Sequence, residues 1–562
     1  MKLSNTKAKS SKKIFPGNYD RKKSASISAC ILRFRVPVFI LIILACVSFQ
    51  PAVASSNTEQ VNATIVTDLQ QTAGKDLFSL VDTDVYEGYD ENTTPYFNVI
   101  WSPDGDQMLI QTSVFLHIIG GGDFGSARVY ALYIADADGS DLKRIVCGES
   151  TSSEGLVIRS PVWSPSGDYF AYVEESTGGM HRVTSSQLVI MSNDLQPVHK
   201  IDQDLDVSGS LSEMPVNYKW SPVKDKITTF TPGNVVVYNL EDNTNFSLGI
   251  DANYFEIRDV ALSGDGSKLV FSMVEENYTR FHEEIIVVDI ENRIFDRIYS
   301  ADSVGMYAAK WSPDSKKLVF YEISGSEKNG TLRYDVYVKD VDLDTPVKIT
   351  SFYSGSSGIR QWYPDSERLL AEIGSDKTHE LISLSINGEI DKLFTGGSSL
   401  DGMVSESGYV LATKEDSHSG VSPYFKTQDI VLLDSPYQLE IEDVPYYRLE
   451  DDNLILVRNS NVSVVNVSTN DTWYVSIPAM SHGVISLHPS GRFIAIDNSI
   501  MELQGREDQA VTSIVNDTYG SVPDEVDDTD EISEQSEMGT DANNSFPFSE
   551  KIGTLWEWLQ GY

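Results

Sequence analysis

The chain has 562 residues, 41% of them hydrophobic and 22% charged, and carries a formal net charge of −40. Such a length and apolar content can bury a large core, as one repeat unit or several domains. The charge argues against a nucleic-acid partner, because phosphate binding needs a basic face. It describes a solvated acidic surface; adaptation to a salty exterior or weak divalent-cation binding are sharper readings that no residue localises.

The charge is split along the chain. Residues 1–35 hold ten Lys or Arg and the single acid Asp20, so residues 36–562 carry −49. Val36 to Phe49 comes next, an uncharged run of 14 residues ahead of Ala52-Val53-Ala54. That suits a signal-peptide core and is short for a bilayer span, which takes about 20 apolar residues. Residues 1–54 are therefore read as an export signal cleaved after Ala54, with an uncleaved anchor or a lipoprotein signal at Cys46 as alternatives. Of Cys30, Cys46 and Cys147, only Cys147 would survive cleavage, so no internal disulfide is expected; Cys147 is read as a small buried hydrophobe. Residues 55–95 form a polar arm in which Leu77-Phe78-Ser79-Leu80-Val81 is expected to be a strand that closes or caps the repeat region beyond it.

A repeat dominates residues 96–516. Its good copies are Trp101-Ser102-Pro103-Asp104-Gly105, Trp163-Ser164-Pro165-Ser166-Gly167, Trp220-Ser221-Pro222, Leu262-Ser263-Gly264-Asp265-Gly266, Trp311-Ser312-Pro313-Asp314-Ser315, Trp362-Tyr363-Pro364-Asp365-Ser366 and Leu487-His488-Pro489-Ser490-Gly491. Weaker copies start at Val404 and Tyr447, and successive copies lie 40 to 62 residues apart. That is the span of one four-stranded propeller blade. The large apolar residue ends one strand, Pro presets a turn, Asp or Ser binds the turn backbone, and Gly accepts φ > 0. Each turn feeds a β-rich run, and further hairpins come after it, as in Tyr130–Ile134 with Leu142–Val146, and Val462–Val467 with Thr472–Val475. The fold class is all-β: a β-propeller of about eight or nine four-stranded blades.

These motifs resemble the TolB-like, WD-like β-propeller repeat family, whose mark is WSPDG before an aliphatic-aromatic strand. Tyr133-Ile134-Ala135-Asp136-Ala137-Asp138-Gly139-Ser140 resembles the family's later hairpin. The resemblance implies the fold; this propeller serves many functions.

Catalytic motifs are sparse. The chain holds no G-x-S-x-G nucleophile elbow, and the residues after Asn516 are too few for an α/β-hydrolase domain. The histidines His117, His181, His199, His282, His379, His418, His482 and His488 show no close metal-ligand spacing, and His488 sits in a repeat turn. Asp136 to Asp141 lacks the distal Glu of an EF-hand loop and reads as a polar β-turn; Gly120-Gly121-Gly122 precedes no helix and is no phosphate cradle.

The composition changes near the C-terminus. Residues 517–545 form an acidic linker, expected to be disordered and self-repelling: Gly520 to Ser545 holds nine acids and no Lys or Arg. In residues 546–562, Ile552, Leu555, Trp556 and Leu559 share one helix face, a candidate partner-docking helix. Candidate glycosylation sequons stand at Asn62, Asn92, Asn245, Asn277, Asn329, Asn461, Asn466, Asn470, Asn516 and Asn543.

The expected function is a secreted or membrane-anchored, non-enzymatic binding scaffold at the cell envelope, with a protein or surface polymer as partner and no cofactor or metal. The alternative is a metal-dependent lyase or hydrolase acting on an extracellular carbohydrate or peptide.

Overall fold

The computed structural model describes residues 58–505 apart from internal stretches, the longest being 88–94, 119–125, 204–217, 327–331, 416–427 and 478–484. Most of it is strand, and consecutive strands pair antiparallel as up-and-down sheets. A representative unit consists of four strands: Tyr96–Trp101, Gln107–Ile118, Ser126–Asp136 and Lys143–Thr151.

Strand pairing groups the described strands into eight sheets, and the largest, with nine strands, holds two four-stranded units joined at the single pair Ser150↔Gly155. The first strands of neighbouring units touch one another, as Tyr254–Leu262 touches Gly305–Trp311 and Ile485–Leu487 touches Tyr96–Trp101. They therefore line the axis, with the later strands of each unit further out. This is a β-propeller.

The motif acts as the sequence suggests. Trp101, Trp163 and Trp362 are buried between units, and the turn is closed by hydrogen bonds such as Gly105 N to Ser102 O at 2.9 Å. Gly105 takes φ +79°, and where the motif has Ser instead, Ser315 and Ser366 still take φ +61° and +57°. The indoles tie the units together. Trp163 Nε1 donates to Ile100 O at 3.0 Å, Trp311 Nε1 to Ala261 O at 3.1 Å and Trp362 Nε1 to Lys310 O at 3.1 Å, each carbonyl lying one residue before the preceding unit's motif. Where the next motif begins with Val404, Gln361 takes over and bonds both Val404 O and Val404 N at 3.1 Å. The weak copy near Tyr447 has no such turn: Glu450 pairs with Asn453 across Asp451 and Asp452.

The hydrophobic core is divided into layers, each shared by two consecutive units. One layer joins Phe493, Ala495 and Ile500 to Trp101, Ile110 and Tyr133, so the last unit packs on the first.

The N-terminal arm seals this junction. Thr58–Gln60 runs parallel to Thr472–Ser476, and Ala63–Asp68 forms the outer strand beside Ser499–Leu503. Tyr86–Glu87 then pairs with Gln107–Ile118. The expected strand at Leu77–Val81 is not one: a π-helical turn, Gln70–Gly74, runs into an α-helix, Lys75–Ser79. The reason lies in the spacing of buried residues. Leu69, Ala73, Leu77 and Val81 recur every fourth position and enter the core layer of the first unit as one helical stripe.

Cys147 also departs from expectation. It is exposed, not buried. It stands on Lys143–Thr151, the outer strand of its unit, where alternate residues face solvent.

Candidate functional site on the inner strands

Basic residues recur on the first, axial strands: Arg159, Lys219, Arg258, Lys310, Arg360 and Arg448. Four of these strands carry a bulge. The register slips between Arg159 and Val162, between Arg258 and Ala261, between Tyr307 and Lys310, and between Ile359 and Gln361. A bulge bends the strand and re-aims its side chains. The positive φ of Ser160, +50°, falls inside one of them.

Buried carboxylates hold two of the cations. Arg159 Nε donates to Glu175 Oε2 at 2.6 Å, and Glu175 is only 8% exposed. Arg360 donates to Glu372, whose other oxygen accepts from His379 Nδ1. Arg360, Glu372 and His379 stand on three neighbouring strands, and Arg360 also lies 3.7 Å from Asp401 of the next unit. An ionised carboxylate only accepts, so the hydrogen of His379 is on Nδ1. Lys310 Nζ donates to Ile359 O at 3.0 Å and Arg360 O at 2.7 Å, linking one axial strand to the next. A guanidinium has five donors in a fixed fork, so a carboxylate on one edge positions it and leaves other donors for a ligand.

The described histidines do not gather. His181, His418 and His482 lie outside the described residues. His117 is exposed beside Phe115, with ring centroids 5.4 Å apart, and His199 lies 5.0 Å from Tyr238. His282 Nδ1 donates to Asp302 at 2.7 Å, which raises its pKa. Among the described residues no three His, Cys, Asp or Glu side chains are placed to hold a metal. Asp136 to Asp141 forms a turn, with Gly139 N donating to Asp136 O at 2.8 Å and Thr67 Oγ1 to Asp138 O at 2.6 Å. Gly120-Gly121-Gly122 lies outside the described residues.

Ile552, Leu555, Trp556 and Leu559 also lie outside them, as do the sequons at Asn92, Asn329, Asn516 and Asn543. Asn62 and Asn245 are exposed. Asn277 ends a strand opposite Arg280. Asn461 Oδ1 accepts from Ser476 Oγ at 2.9 Å, Asn466 Oδ1 accepts from Ser468 and Thr469, and Asn470 takes φ +62°. The axial cations were not singled out from the sequence. Their signal was present in all but Arg448: a basic residue one to four positions before the motif's apolar residue, as in Arg159 before Trp163 and Lys310 before Trp311.

No known family and no curated protein matches the chain. Among solved structures it is similar to a eukaryotic initiation factor, at 12% identity and a TM-score of 0.44 over 75% of this chain and 92% of that one. It is also similar to an oligogalacturonate lyase in complex with manganese, at 11% identity and a TM-score of 0.36 over 79% and 98%. A third is TolB from Acinetobacter baumannii, at 15% identity and a TM-score of 0.27 over 64% and 67%.

Proposed function

We propose that this protein is an exported, non-enzymatic scaffold that binds a protein or surface polymer at the cell envelope. The observation that carries the reading is the uneven length of the hairpins on a closed ring. Gln107–Ile118 and Ser126–Asp136 have 12 and 11 residues, whereas Lys226–Thr231 and Asn234–Asn239 have six each. Long hairpins recur on other units, as in Tyr169–Gly178 with Arg182–Ser192 and Lys268–Asn277 with Arg280–Asp289, and on a rigid frame they raise the rim as a recognition surface.

The test uses the full chain with isolated envelope material. Saturable binding, with hydrogen-exchange protection concentrated at 107–136, is the expected result. Turnover of a carbohydrate or peptide panel that Glu372→Gln abolishes would overturn the reading in favour of an enzyme.

A further inference from the structure

The residue six positions after the motif tryptophan can tie two neighbouring turns: Lys226 Nζ donates to Gly266 O at 2.9 Å and Lys317 Nζ to Ser366 O at 3.3 Å. Arg368 holds that position after Trp362, and Gly408 is the matching residue of the following turn. Among the described residues this tie is not made. Tyr363 stands where the other tryptophan copies of the motif have Ser, and the Arg368 guanidinium lies 4.2 Å from its ring centroid. Arg368 Nε donates to Asp365 Oδ2 at 2.7 Å, within its own turn. A Cβ on Gly408 would meet nothing nearer than Pro364 Cδ at 3.9 Å, so the two turns stand apart. A cleft of about 490 Å³ opens there, lined by Arg368, Ser383, Asp391, Lys392, Tyr409 and Asp434 with three smaller contributors. Lys392 Nζ is held by Glu380 Oε1 at 2.6 Å. Asp391 and Asp434 are exposed and make no ion pair among the described residues.

We propose that this cleft binds a neutral saccharide. Its charges balance, two cations against two carboxylates. An anion drawn to Arg368 meets Asp391 and Asp434, and a cation drawn to these meets Arg368 and Lys392, so a charged ligand of either sign is disfavoured. A hydroxyl both donates and accepts, so a polyhydroxylated ligand serves the guanidinium and the carboxylates alike without that repulsion. The volume falls in the range of clefts that hold drug-sized ligands, and a single amino acid would leave much of it empty. The cleft lies at the motif-turn end of Arg368–Gly374, away from the hairpin tips, so it goes beyond the scaffold reading as a second site.

The experiment is calorimetric titration of the full chain with the neutral disaccharides maltose and cellobiose and, separately, with glycine as a zwitterion. Binding of either disaccharide is the expected result. Arg368→Gln and Asp391→Ala should each weaken it by about tenfold, the worth of a charged hydrogen bond. Asp391 is exposed and unpaired among the described residues, so its variant keeps the test valid if Arg368→Gln does not fold. Lys219→Ala, exposed on another unit, should leave binding unchanged. Failure of both disaccharides, binding of glycine alone, or binding that neither cleft variant weakens overturns the site. Envelope binding is scored apart: its failure removes the scaffold reading and not the cleft, and failure of the disaccharides removes the cleft and not the scaffold.

Discussion

His488 Nε2 donates to Gly105 O at 2.6 Å, joining two residues 383 positions apart. The same ring accepts from Ser490 N at Nδ1 over 3.1 Å, so His488 is the neutral Nε2–H tautomer. The contact repeats between turns elsewhere: Lys226 Nζ donates to Gly266 O at 2.9 Å and Lys317 Nζ to Ser366 O at 3.3 Å. The last turn thus meets the first as other turns meet their neighbours.

Gly105→Ala should open this junction. A Cβ there would lie 2.5 Å from His488 Cε1, at φ +79°. Gly408 has a similar φ, +82°, but its nearest neighbour would be Pro364 Cδ at 3.9 Å. Denaturant unfolding should show a loss of roughly 3 kcal/mol for Gly105→Ala against roughly 1 for Gly408→Ala. Equal losses would mean that the His488 contact does not matter.

Two histidines should oppose each other in pH dependence. Burial lowers the pKa of His488, so its contribution is full above the unfolded value of about 6.5 and is lost as pH falls through the lowered folded value. The hydrogen bond to Asp302 raises that of His282, so its contribution is full below about 6.5 and is lost as pH rises through the folded value. Melting temperatures from about pH 5 to 8 should show less acid sensitivity in His488→Gln and less alkaline sensitivity in His282→Gln.

Equivalent tryptophans should differ. Trp362 Nε1 donates to Lys310 O, whereas Trp101 Nε1 is buried with no partner among the described residues. Trp362→Phe should cost about 1 kcal/mol more than Trp101→Phe in unfolding free energy. The reverse order would refute the role of the indole ties.

Truncation after Ser545 should leave the melting temperature unchanged and weaken capture of envelope partners. A helix as short as the candidate at 549–560 is marginal alone and needs a surface on which to bury Leu555, Trp556 and Leu559. A large fall in melting temperature would show that this segment belongs to the ring.

The repeat was legible because each copy contains its own turn chemistry: Pro, a short polar residue and a residue at φ > 0 act within five positions, as at Trp101 to Gly105. Strand existence followed from the same local pattern, and only tertiary packing showed where the ring is sealed. Ala63–Asp68 closes the last sheet because its partner, Ser499–Leu503, lies at the far end of the described chain, a pairing no local pattern encodes. Leu77 joined a helix because its core neighbours fall four residues apart. The axial cations were visible as residues, but the bulges beside them and the buried carboxylates that hold Arg159 and Arg360 were not, because these arise from strand register, which links positions distant in sequence.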